Sequence, residues 1–536
     1  MAAKHLISEC LEKIFSNLLD NNNNRNHKST KDIHSLHSCT LVSRHWCRIS
    51  TPFLYSYPFH YFYHRNSNNS NKSSYFKLIR TLLGCIPKSE IEQIISVTDS
   101  SNIQKLLSNS FRSNKKSTSS FDISTTFNYV SFIRGLVVDD TLLSDTLLFY
   151  FREIWLPPYI SNIKTQNKFS KISISIINHL LKYILKHCNN LTVLDLPFII
   201  RNNEIGFDMI KSLIYEDYIG KNKLRNLKEL YANSVVKEYE KKDLYLVLSN
   251  NIWNLNLLYN EGFNSVDSLC RFISLQKNLK HIILSEYVCE LERENRDYNS
   301  VFNSLSTQCE SLQILEFKYL TFNENSLGSL CLLKNIKELK IYECKGIEDN
   351  LISWAKNLSK LEVFEFVKCY NSIVSEEFLI QLIETSSNTL LKLIISYKRK
   401  GKQLTQLYKH ISSIHSNSLI YLDLPKIYPD ELIKIFESCI KLVYICTILS
   451  DDGDWEMSFR NLGKFIPKNL QKIIFKEINA YILSGKALKC FFEDCRNNNG
   501  NLKYLEIKGK FIFGQHYFDI AKEFDIELKI QTFKSP

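Results

Sequence analysis

Imidazoles and thiols crowd one short stretch near the start of the chain. His34, His37, Cys39, His45 and Cys47 lie in order H-x2-H-x-C-x5-H-x-C. Such groups could hold zinc, but structural zinc sites use paired short spacings such as CxxC with HxxxH. On a helix His34, His37 and Cys39 do not share one face. The same stretch carries Leu36, Leu41, Val42 and Trp46, and a helix that docks on a partner accounts for it better than a metal centre. DDGDWE (Asp451–Glu456) lacks the alternating Asp or Asn and the closing Glu of a calcium loop and reads as a solvated loop. Gly485-Lys486 lacks the earlier Gly and the following Ser or Thr of a phosphate loop. There is no HExxH, GxSxG or GxGxxG. No catalytic residue, metal ligand or cofactor is assigned, and the chain is expected not to be an enzyme.

The elements that carry this stretch are helical. HLISECLEKIFSNLL places Leu6, Ile7, Cys10, Leu11, Ile14, Phe15 and Leu18 on one helical stripe. After an Asn-rich loop, Asp32 is an expected N-cap for a second helical region containing Leu36, Leu41, Val42 and Trp46, with Pro52 closing it. A helical unit this small has more apolar surface than it can cover, which marks a partner-binding face. The polar tracts Asn21–Asn26, Arg65–Ser74 and Asn109–Asp122 bury little and predict flexible loops.

Beyond this the chain repeats itself. Starts at Leu191, Leu227, Ile252, Leu279, Leu312, Ile336, Leu361, Leu390, Leu419, Leu442, Leu470 and Leu502 all fit apolar-xx-apolar-x-(usually apolar), at a mean spacing of about 28 residues. Ile133 fits as a first turn. One such hexapeptide says little, since any strand can show it. A dozen at this spacing match the leucine-rich-repeat period of roughly 20–29 residues. Each short strand turns alternate apolar residues inward, an amphipathic helix follows, and stacked neighbours make a continuous core. Phe378, Leu379, Leu382 and Ile383 show one such helical face. A capping helix and strand are expected after Phe511. Cys188, Cys309 and Cys439 precede repeat starts by three residues, while Cys344 and Cys369 follow them by eight. The five are expected to be small buried residues. IKELKIYECKGIEDNL closely resembles the cysteine-containing leucine-rich repeat.

The segment Leu6–Ile49 resembles an F-box, whose pattern is LPxExLxxIFxxL, a connection, then Lxx(C)xxVxRxW. Leu6, Glu9, Leu11, Ile14, Phe15 and Leu18 match the first part, and Leu36, Cys39, Val42, Arg44 and Trp46 the second. Ile7 stands where the pattern has Pro, and the Asn-rich connection is long. An F-box followed by such repeats resembles the substrate-recruiting subunits of Skp–cullin–F-box ubiquitin ligases. The resemblance implies an α/β chain with a three-helix F-box over 1–64, a helical connector over 65–130 and a curved solenoid over 131–536. Short parallel strands would lie on the solenoid's concave side and helices on its convex side. It also implies that Leu6, Ile7, Cys10, Leu11, Ile14, Phe15, Leu18, Leu36, Leu41, Val42 and Trp46 serve the Skp adaptor, and through it cullin. The repeats would then hold a protein substrate, the protein being a monomer within the complex. The competing reading is a leucine-rich-repeat binding scaffold with no ligase role.

Composition bears on the partners. Hydrophobic residues make up 44% of 536 and charged residues 23%, a globular balance, and Gly (14) and Pro (10) are scarce. Lys4, His5, Glu9 and Glu12 interrupt any apolar run at the start of the sequence, so a secretory leader is not expected. No uncharged apolar run approaches the about 18 residues of a spanning helix. The 15 cysteines include no CxxC and are read as reduced thiols. A soluble protein of the cytoplasm or nucleus, with no membrane contact, is expected. The net charge of +12 raises nucleic acid as a third reading, yet Lys is spread along the whole chain. The central outward column of the strands reads Asp195, Tyr231, Asn256, Ile283, Glu316, Lys340, Glu365, Ile394, Asp423, Cys446, Ile474 and Glu506. A nucleic-acid groove would show a basic majority there. Tyr421, Tyr444 and Tyr504 in a flanking column are candidate substrate contacts.

Overall fold

The structure, a computed structural model, describes residues 7–20, 30–59, 78–79, 81–87, 89–90, 126–137, 179–188, 190–196, 224–232, 238–263, 265–286, 298–322, 327–347, 349–368, 374–397, 404–413, 418–450, 455–478, 483–509 and 514–532. The three Asn- and Ser-rich tracts, Asp451–Asp454, Leu6 and Cys369 lie outside these residues. The chain divides into two compact units, Met1–Lys277 and Asn278–Pro536.

The first unit opens with helices α1 (Ser8–Asp20), α2 (Thr30–Thr40) and α3 (Arg44–Leu54). Asp32 lies inside α2 rather than capping it, because the helix already begins at Thr30. The capping device is at α3, where the Ser43 hydroxyl accepts from the Trp46 N–H at 3.1 Å. Pro52 lies within α3 and does not close it. It falls in the last turn, where only one intrahelical bond is lost and the helix runs on to Leu54. Four strands follow, β1 (Gly135–Val137), β2 (Val193–Leu196), β3 (Glu229–Ala232) and β4 (Leu257–Glu261), each paired parallel with the next. The Ser56 carbonyl accepts from the N–H groups of Arg134 and Gly135 at 2.7 and 2.9 Å. The Arg134 carbonyl accepts in the same way from Thr192 and Val193. The segment leaving α3 thus occupies the place of a preceding repeat.

The second unit contains β5 (His281–Ser285), β6 (Ile314–Lys318), β7 (Glu338–Tyr342), β8 (Val363–Lys368) and β9 (Lys392–Tyr397). It continues with β10 (Tyr421–Ile427), β11 (Tyr444–Leu449), β12 (Lys472–Ile478), β13 (Tyr504–Gly509) and β14 (Glu527–Thr532). All pair parallel in chain order. The helices between them pack against one another in the same order, for instance Glu376–Thr385 on Thr405–Ser413 and Trp455–Leu462 on Gly485–Asn497. Two layers, parallel strands and helices, share one core, which is the α/β architecture of a leucine-rich-repeat solenoid. The helix Gln515–Glu523 and β14 are the helix and strand expected after Phe511.

The inward triads are buried throughout, for example Leu312, Leu315 and Phe317, or Leu361, Phe364 and Phe366. Phe378, Leu379, Leu382 and Ile383 are buried on their helix as the spacing predicts. The residue before each start is usually polar, and it stitches one repeat to the last. Ser311 donates to the Leu279 carbonyl, Thr389 to that of Leu361 and Ser418 to that of Leu390, at 3.0, 2.9 and 2.8 Å.

Two further expectations are corrected. The fourth repeat starts at Leu255, not Ile252, since Glu229 pairs with Leu257 and Tyr231 with Tyr259. Ile252 closes the helix Glu238–Asn251 instead, its N–H bonding to the Leu248 carbonyl. The template missed this register because Asn260 fills an inward position. It is satisfied there by the Tyr245 hydroxyl at 2.6 Å and by its own bond to the Gly262 carbonyl. Tyr259 therefore replaces Asn256 in the central column. Of the repeat cysteines, Cys188, Cys344 and Cys439 are buried, but Cys309 is half-buried. The neighbouring Leu305 and Gln308 fill the interior there instead.

Candidate functional site

Two surfaces stand out, one on the helices of the first unit and one on the strands of the second. In the first, Leu11, Phe15 and Leu36 form a small core. Leu18, Cys39, Trp46, Ile49, Phe53 and Leu54 pack around it. Phe15 meets Trp46 and Phe53 edge-on, with ring centroids 5.8 and 6.0 Å apart. Burial then sorts the predicted adaptor residues. Leu11, Phe15 and Leu36 are interior, Leu18 and Trp46 are half-buried, and Cys10 is exposed. Ile7, Ile14, Leu41 and Val42 are 62%, 44%, 75% and 50% exposed, so large aliphatic groups face solvent along α1 and at the turn between α2 and α3. Ile7 immediately precedes α1, and Ile14 follows it by seven residues within the helix. The Ile7 carbonyl accepts from the N–H groups of Cys10 and Leu11, so the helix is started without the proline of the family pattern. Among the described residues no three His, Cys, Asp or Glu side chains stand close enough to hold a metal ion. Cys47 faces Thr51, whose hydroxyl donates to the Cys47 carbonyl at 2.6 Å.

The second surface is the outward face of β5–β14. Its first column runs unbroken, although the β10–β11 and β12–β13 pairings shift register beyond Leu424 and Phe475. In the first column His281, Ile314, Glu338, Val363, Lys392, Tyr421, Tyr444, Lys472, Tyr504 and Glu527 are successive partners. The predicted contacts Tyr421, Tyr444 and Tyr504 thus fall in one row with two lysines between and beside them. Tyr421 and Tyr444 stack with centroids 4.0 Å apart and planes 6° from parallel. Lys392 Nζ lies 5.0 Å from the Tyr421 ring centre, and Lys472 Nζ lies 5.7 and 4.2 Å from those of Tyr444 and Tyr504. Burial raises the pKa of both stacked phenols.

In the central column Ile394, Cys446 and Ile474 form a buried floor between acids. Lys476 on β12 reaches over β11 to Asp423 on β10, its Nζ 2.9 and 3.0 Å from the two carboxylate oxygens. Burial raises the Asp423 pKa, opposed by the Lys476 ammonium. For Lys476 burial pulls the other way, but the Asp423 carboxylate and Cys446 together outweigh it and hold the ammonium above its ordinary value. Burial pushes the Cys446 thiol beneath this bridge up to about 11, which favours the protonated thiol at neutral pH. Farther along, Glu506 takes the Tyr504 hydroxyl at 2.9 Å and the Lys508 ammonium at 3.3 Å. Burial opposes ionisation of Glu506, but these partners hold its carboxyl below the usual range.

Sequence spacing places Lys392 and Lys472 with the tyrosines in the flanking columns but does not show the rings stacking or the lysines resting on them. All five residues lie two positions after a repeat start. The Lys476–Asp423 bridge spans two strands and had no local signal. In the first unit the register error at Ile252 hid the stacking of Tyr231 on Tyr259, with centroids 6.0 Å apart.

No family model and no curated protein matches the chain. Among solved structures, the leucine-rich-repeat protein LegL7 from Legionella pneumophila is similar at 15% identity and a TM-score of 0.34, over 61% of this chain and 96% of that one. The yeast Rad7 and Elc1 complex is similar at 16% identity and a TM-score of 0.30, over 51% of this chain and 75% of the matched one. Among the described residues no helix is long and apolar enough to cross a membrane.

Proposed function

We propose that the chain is the substrate-recruiting subunit of a Skp–cullin–F-box ubiquitin ligase. The observation that carries this reading is the division of labour within the three N-terminal helices. Leu11, Phe15, Leu36 and Trp46 hold the unit together, while Ile7, Ile14, Leu41 and Val42 remain on its surface. Aliphatic groups left exposed on so small a unit, in the F-box order, suit an adaptor. The repeats suit a protein: their outward face mixes stacked tyrosines with both charge signs. The chain itself would form no ubiquitin bond. It would hold a target's lysines near the conjugating enzyme and so raise their effective concentration.

The test uses the whole chain. Co-purification with the Skp adaptor of its cell should be lost in Ile14→Asp and in Val42→Asp, with circular dichroism and melting unchanged. Absence of capture by the folded, unmutated chain leaves the scaffold reading, in which the repeats bind protein without a ligase; capture that persists in both variants overturns the assignment of Ile14 and Val42 to the adaptor face.

A further inference from the structure

The outward face of the second unit changes charge along its length. On β6–β8 it carries Glu316, Glu338 and Glu365 against Lys318 and Lys340, and both lysines are spent in ion pairs with Glu316 and Glu338 at 2.7 and 2.8 Å. On β9–β13 it carries Lys392, Lys426, Lys472, Lys476 and Lys508 against Asp423 and Glu506. Both of these carboxylates are already engaged, by Lys476 and by Lys508. Lys392 and Lys472 are different: the first ammonium rests on the Tyr421 face and the second on those of Tyr444 and Tyr504, and neither is in an ion pair among the described residues, although Lys392 acts at longer range on Asp423. A ring quadrupole holds a cation in place but leaves its charge uncancelled.

We infer that the Lys392–Tyr421–Tyr444–Lys472–Tyr504 row binds an extended acidic segment of the recruited protein, lying across β9–β13. The inference rests on the reading that the repeats hold a protein and names the chemistry of that protein. The geometry sets a spacing. Lys392 and Lys472 lie three strands apart, about 14 Å at the usual strand separation. An extended chain covers that in about four residues. A segment with two acidic side chains about four residues apart would pair with both lysines. Its intervening apolar or aromatic side chains would lie on the Tyr421–Tyr444 stack and the floor of Ile394, Cys446 and Ile474. Steering by the excess of positive charge would weaken with salt.

Selection of random-sequence peptides on the folded full chain tests this directly. Enriched peptides should carry paired acidic residues at that spacing. Their affinity, read by fluorescence anisotropy, should fall roughly tenfold in Lys392→Gln/Lys472→Gln and stay unchanged in Lys489→Gln, which alters a lysine on a helix. The inference is overturned if no peptide is enriched, if the enriched ones lack acids, or if the double variant binds as well. It is also overturned if single-stranded RNA competes more strongly than the selected peptides, which would make the row a nucleic-acid site. Adaptor co-purification on the same preparations separates the two readings, because it depends on α1–α3 alone.

Discussion

Asn260 and Glu229 show what single residues do in an array of otherwise repeated chemistry. Asn260 stands where neighbouring repeats place Leu284 or Phe317, and it is tolerated because Tyr245, itself buried, donates to it. Tyr245→Phe leaves the Asn260 amide oxygen without that donor and should cost about 1–3 kcal/mol in urea unfolding. Adding Asn260→Leu should restore most of the loss, since both polar partners are then gone. Glu229 lies between Val193 and Leu257 in the outward column of the first unit. Burial raises its pKa from 4.5 to about 7. The folded chain therefore holds a proton that the unfolded chain has released across that interval, and its contribution to stability falls as pH rises from 4.5 to about 7. Glu229→Gln should stabilise the protein at about pH 8 and make no difference at about pH 4. Equal effects at both pH values would show that the carboxyl ionises as freely in the folded chain as in the unfolded one.

At the scale of the element, strands are spaced by turns that leave little room. Gly346 follows β7 with φ +72°, and a Cβ built there would collide with the Phe322 carbonyl oxygen. This is where the turns of two repeats meet, Thr321 bridging to Lys345. Gly346→Ala should destabilise the second unit by about 3 kcal/mol, measured by denaturant unfolding, because left-handed backbone and a steric clash add. Such turns were not legible in the sequence; the strands were. Alternating apolar residues at the start, three and five positions on are set by the need of each strand to bury one face, so all but one register could be read directly. The exception, Leu255, was hidden by a polar residue whose partner lies on another element. The same limit applies to the helices of the first unit. Helical spacing put Ile14 and Phe15 on one stripe, but only the packing of α2 and α3 decides that Phe15 is interior and Ile14 is surface. Lys476 and Asp423, 53 residues apart, could be paired only once the strands were laid side by side.

For the whole molecule, the proposed function depends on two contacts held by one chain. Adaptor contact is assigned to Ile7, Ile14, Leu41 and Val42, and partner contact to the row from Lys392 to Tyr504. No residue is shared, so each contact should be removable alone: Ile14→Asp should leave peptide affinity intact, and Lys392→Gln/Lys472→Gln should leave adaptor binding intact. Proximity adds a stricter expectation. Recruitment raises the local concentration of a target only when both contacts belong to the same molecule, with effective concentrations near the millimolar range against micromolar in free solution. In a reconstituted ligase given a target that carries a selected acidic peptide, each variant alone should lower ubiquitin transfer at least about tenfold. Mixing the two variants should restore nothing, because one binds the target without the ligase and the other binds the ligase without the target. Recovery of transfer in the mixture would mean that chains associate with one another and share a target, contrary to a monomer acting within the complex.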